Sequence, residues 1–257
     1  SNALTSLTTD AGGVTNLNGG NVSTTGAQTF GDAVNLGAAA TLNATNVTFA
    51  STLDGNQDLI VTASGTTTFS GLVGGSTALT TLTSNGGGTT AINGGNVTTN
   101  STQVYSDVVT LGGDTVLTGT TITLSSTINA TNANLDSLTL AGNAVLGGIV
   151  GGSSALEFLT VTGTAALNGG NVTTAGDQSF GDAVSLGADA VLTGVNVTFS
   201  NTLTGTQNLT ITASGTTTLG GVTTLTSLTT DGGGTTDIDG GNVSTTGTQT
   251  YSDAVVL

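Results

Sequence analysis

Four aspartates recur in one setting. Asp32, Asp107, Asp182 and Asp253 each stand two residues after an aromatic ring, within Gln28-Thr-Phe30-Gly-Asp32-Ala-Val34-Asn-Leu36 and its later copies. Such a carboxylate suits metal ligation or acid–base work. It equally suits the closing of a turn through a backbone N–H, and that second reading is preferred. The densest acidic cluster is Asp231, Asp237 and Asp239, interleaved with glycines. Hard oxygens in a glycine-rich turn make these three the calcium candidates. The matching positions elsewhere are Asp10, Asn16 and Asn18, or Asn85, Ala91 and Asn93, so the repeat itself does not depend on the site. The metal expectation is therefore none.

Other residues carry weaker signals. Asn21, Asn96, Asn171 and Asn242 each open an Asn-Val-Ser or Asn-Val-Thr triplet, a glycosylation signal on an exported chain. A turn Asn leading into a strand is the plainer reading. Thr66–Thr68 and Thr216–Thr218 could belong to an ice-binding array, which would need Thr-x-Thr on one face in every coil. Gly86–Gly88 and Gly232–Gly234 are not phosphate loops, because no Lys and no helix follows. Glu157 is the only Glu and has no carboxylate partner in sequence. Polysaccharide cleavage by paired carboxylates is therefore a remote alternative.

Composition excludes more than these residues offer. The 257 residues include no Lys, Arg, His, Cys, Met, Trp or Pro, and the formal net charge is −15. No imidazole can shuttle protons. No cation can neutralise a phosphate, so neither nucleic acid nor an anionic membrane surface is an expected partner. No cofactor is implied, and the expectation is a non-enzyme. No apolar run is long enough for a spanning helix. Disorder is disfavoured because Val, Ile, Leu and Thr are plentiful and patterned.

The elements that position these groups follow from repetition. Gly-Gly-Asn-Val stands at Gly19–Val22, Gly94–Val97, Gly169–Val172 and Gly240–Val243, spaced by 75, 75 and 71 residues. The aromatic marker returns as Gln103…Tyr105…Asp107, Gln178…Phe180…Asp182 and Gln249…Tyr251…Asp253. Fixed-period similarity means stacked units. Phe30, Phe49 and Phe69 lie 19 and 20 residues apart, and Phe180, Phe199 and Leu219 repeat the spacing. Inside each step apolar and polar residues alternate, as in Gln207-Asn-Leu209-Thr-Ile211-Thr, which reads as half-buried strand.

The resulting expectation is an all-β parallel β-helix, or β-solenoid. It has about 19 residues per coil and four coils per module of about 75, with residue i stacked on its counterpart one coil later. About 13 coils at roughly 4.8 Å give a length near 60 Å. Residues 1–3, Ser-Asn-Ala, read as a scar of tag removal. Residues 4–257 read as one continuous solenoid of modules 4–78, 79–155, 156–224 and a partial 225–257. The chain stops inside a marker, so both ends read as cuts within a longer protein. Their open strand edges are expected to stack end to end.

The aromatic marker, Asn46-Val-Thr-Phe49, Gly65-Thr-Thr-Thr-Phe69 and Leu225-Thr-Ser-Leu-Thr-Thr-Asp231 together resemble the repeat regions of large exported bacterial proteins. These are the filamentous-haemagglutinin-like and autotransporter-type adhesins. The resemblance covers nearly all of residues 4–257. It implies a right-handed coil, an extracellular or outer-membrane-associated place on the bacterial surface, and a role as stalk or adhesive segment. The expected partner is an unidentified extracellular glycan or host or matrix protein. A specific binding module on one solenoid face is the alternative.

Overall fold

A computed structural model describes residues 4–257, and the scar reading of 1–3 lies outside them. No helix occurs among the described residues, and the strand pairings are parallel throughout. The contacts divide the chain into two compact units, one ending at Ser126 and the other running Thr127–Leu257. Each is a β-solenoid, and together they hold about 13 turns of roughly 19 residues. The strands form where period-two sequence supplies one buried and one outward row. Thr66–Phe69 buries Thr67 and Phe69 and turns Thr66 and Thr68 outward.

In the first unit each turn contributes to three sheets in succession. The first sheet stacks Leu7–Thr9, Gln28–Phe30, Val47–Phe49, Thr66–Phe69, Thr89–Ile92 and Val108–Leu111. The second stacks Val14–Leu17, Ala33–Leu36 and Leu53–Asp54, then Val73, Asn96–Thr98 and the start of Thr115–Leu124. The third stacks Asn21–Ser23, Ala40–Ala44, Asp58–Ala63, Thr81–Asn85, Thr102–Tyr105 and the end of Thr115–Leu124. The interior is built of like on like: Phe30, Phe49 and Phe69 are fully buried and stacked, with centroids 5.2 and 5.4 Å apart.

The second unit repeats the plan. Its first sheet runs from the start of Leu138–Leu146 through Leu159–Val161, Gln178–Phe180, Val197–Phe199, Thr216–Leu219 and Thr235–Asp237 to Ala254–Val256. Its second runs from the end of Leu138–Leu146 through Ala165–Leu167, Val184–Leu186, Leu203–Gly205 and Thr223–Leu225 to Val243–Thr245. Its third holds Val150, Val172–Thr173, Ala190–Gly194, Asn208–Ala213, Ser227–Thr230 and Gln249–Tyr251. Phe180 and Phe199 stack at 5.2 Å.

The register corrects the expected four coils per module. From Phe30, three turns lead through Phe49 and Phe69 to Ile92. Tyr105, the next marker aromatic, lies two strands further on, paired with Ser84 on the third sheet. A module is therefore three and two-thirds turns, and its marker moves to another sheet. The second unit shows the same advance independently. Phe180 passes through Phe199 and Leu219 to the level of Thr235–Asp237, and Tyr251 lies two strands on, opposite Thr230.

The 75-residue length arises because the step from Phe69 to Ile92 takes 23 residues. Val73-Gly-Gly-Ser-Thr-Ala-Leu79 swings out as a loop there, and Asp54 Oδ1 accepts the amides of Ser76 and Thr77 at 2.8 and 3.0 Å. Its counterpart at 150–156 is held in the same way by Asn129 Oδ1 on the amides of Ser153 and Ser154. The third module lacks this loop near Gly221–Thr223, which gives the spacing of 71.

Candidate functional site

The recurrent aspartates are structural ties between coils. Asp32 Oδ1 accepts the amide of Gly13 at 3.0 Å, and its Oδ2 accepts the Thr15 hydroxyl at 3.2 Å. Asp107 accepts the amide of Gly87 at 2.8 Å, and Asp253 that of Gly233 at 3.1 Å. In each case the amide sits in the preceding coil, within a glycine turn. Asp182 faces the shorter Thr162-Gly-Thr164 and instead takes its own neighbour's amide, Ala183, and Asn201 Nδ2. The turn-closing role thus reaches across coils. Asp32 and Asp107 open strands of different sheets, Ala33–Leu36 and Val108–Leu111, so no one-face column of these carboxylates forms.

The marker glutamines, which the sequence reading left without a role, tie the two signatures together. Gln28 Nε2 donates to Val22 O of the preceding coil at 3.1 Å and to Asn43 O of the coil that Gln28 begins at 3.0 Å. Gln103 does the same to Val97 O and Thr118 O, and Gln178 to Val172 O and Thr193 O. The fixed spacing from Gly-Gly-Asn-Val to Gln is the reach of this clamp. Where the aromatic is Tyr105, its hydroxyl donates to Gln103 Oε1 at 2.8 Å, and Tyr251 does likewise to Gln249. Where it is Phe30 or Phe180, Gln28 Oε1 and Gln178 Oε1 are buried without a partner. Burial pushes the Tyr105 phenol far above its ordinary range, and that of Tyr251 upward as well.

The calcium candidates bracket one strand near the end of the second unit. Asp237 lies within Thr235–Asp237 in register with Thr218 and Val256, whereas Asp231 and Asp239 lie beyond its two ends. Among the described residues no three carboxylates group for a metal ion. Asp189, on the surface, is held below the usual carboxylate range by the amide and then the side chain of Asn208. The Asn residues of Gly-Gly-Asn-Val are exposed, and they follow glycines of positive φ: Gly20, Gly95, Gly170 and Gly241 at 85°, 83°, 85° and 76°.

The threonine runs stand in outward columns. Thr8, Thr29, Thr48 and Thr68 are in register in the first unit, and Thr139, Thr160, Ser179, Thr198 and Thr218 in the second. Ala91 interrupts the first column. Glu157 takes Ser137 Oγ at 3.3 Å on its Oε2. Beside it stands Phe158, 41% exposed, whereas the other five phenylalanines are at most 1% exposed. Its lone position off the 19-residue series was the available signal. Compared with known family models, curated proteins and solved structures, the chain matches none.

Proposed function

We propose that this chain is a structural segment of an exported bacterial surface protein, a non-enzymatic stalk that can carry adhesive points. The observation that supports this most is the advance of three and two-thirds turns per module. It hands the same decoration to a different sheet at the next module, so the repeat builds coil geometry rather than a one-face array. The marker Asp and Gln are both consumed in tying coil to coil. A net charge of −15 without one cation keeps such segments apart in solution. The resemblance to adhesin repeats supports placement on the cell surface.

A second reading, a glycan- or host-protein-binding face, draws on the outward threonine columns. A panel of neutral glycans and matrix proteins, with calcium and with chelator, separates the two. The structural reading expects no saturable glycan binding. Glycan binding that Thr48→Lys with Thr68→Lys abolishes would establish the binding face instead.

A further inference from the structure

The repeat supplies its own standard of what the scaffold needs, so departures at exposed positions carry information. At the pair after the Leu that opens each module, buried at Leu79, Leu156 and Leu225, the chain has Thr5-Ser6, Thr80-Thr81 and Thr226-Ser227. In the remaining module the pair is Glu157-Phe158. The scaffold uses neither side chain to fill its interior: Leu156 and Leu159 on either side are fully buried, and Phe158 faces outward. One side of the ring rests on Gly176 of the next coil, where a Cβ would come within 2.3 Å of Cε1 and leave the ring no room. Even with that contact the residue stays 41% exposed.

Two carboxylates neighbour Phe158, one in sequence and one by strand register. Glu157 is its neighbour in sequence, oriented by Ser137 Oγ. Asp177 is its outward neighbour in the next coil, one step before the pairing of Leu159 with Gln178. Asp177 Oδ1 is fixed by the amide and Nδ2 of Asn196 at 3.1 and 2.8 Å.

An exposed aromatic ring with carboxylates on its neighbouring residues attracts a cation twice, through the ring quadrupole and through charge. The chain has no cation of its own to place there. We propose that Phe158, Glu157 and Asp177 form a docking point for a Lys- or Arg-bearing segment of a partner protein. The basic side chain lies over the exposed ring, with its charged end between the two carboxylates. This goes beyond the structural role proposed above and does not rest on it.

The test is a titration of the isotope-labelled chain with tetralysine at low salt, read by amide chemical shifts. Phe158→Thr and Glu157→Thr restore what the other modules carry and so leave the coil intact. The expected result is that the largest shifts fall on Phe158, Gly176 and Asp177. The apparent affinity there should drop about two- to five-fold in Phe158→Thr. It should also fall with salt in the wild type. Shifts of equal size at every aspartate corner, unchanged in Phe158→Thr, would overturn the proposal. So would shifts at Phe158 that neutral oligosaccharides cause and tetralysine does not.

Discussion

At Gln103 the side chain joins two carbonyls fifteen and six residues away, and Tyr105 completes it by donating to Oε1. A buried amide satisfied on both ends is worth more than its separate bonds, because an unpaired buried polar atom costs about 1–3 kcal/mol. Tyr105→Phe leaves Gln103 Oε1 in the state of Gln28 and Gln178, and should lower stability by about 1 kcal/mol in chemical denaturation. The same substitution has a pH signature. With no Lys, Arg, His or Cys, Tyr105 and Tyr251 are the side chains that titrate in alkali. Burial holds the folded Tyr105 phenol above its unfolded value of about 10. Below that pH both states keep the proton and stability is unaffected. Above it the unfolded chain releases the proton and the folded chain does not, so stability falls as pH rises. Melting curves between pH 8 and 12 should show this decline in the wild type and a shallower one in Tyr105→Phe.

At the scale of the coil, corners decide what fits. Glycine stacks on glycine where consecutive turns bend together. A Cβ on Gly94 would sit 2.1 Å from the Gly71 carbonyl oxygen, and Gly169 over Gly148 and Gly240 over Gly221 repeat the arrangement. Gly94→Ala should therefore force the two coils apart and cost about 1–3 kcal/mol, visible as a lowered melting temperature. An unchanged melting temperature would show that the corner has slack. The parallel coil itself was legible in the sequence, because alternation shows strands and the Phe30, Phe49, Phe69 series shows the stacking distance. The winding number was not. Phe69 and Ile92 pair across 23 residues, and the outward loop beginning at Gly74 that causes this carries no strand signal. The Gln clamp was marked by its fixed six-residue spacing from Gly-Gly-Asn-Val, but that spacing does not say which carbonyls a Gln reaches. Phe158 stood out only as an aromatic off the series.

At the scale of the chain, the winding of the modules sets which sheet each marker joins. Because the marker advances three and two-thirds turns, a sequence of nearly identical modules builds sheets whose outward faces differ from level to level. Under the proposed structural role, the marker is therefore not repeated on one sheet from module to module, and a local break such as Glu157-Phe158 is where the proposed docking point lies. The absence of cysteine makes the winding directly measurable. Two double variants place thiols at outward, cross-coil pairs of the first unit: Thr68→Cys with Ala91→Cys, and Thr83→Cys with Val104→Cys. Neighbouring strands lie about 4.8 Å apart, within disulfide range. Under mild oxidation, followed by proteolysis and mass spectrometry, both pairs should close into intramolecular disulfides in high yield. Failure of both to close, in chains that still fold, would contradict the three-and-two-thirds-turn module and with it the structural role built on it.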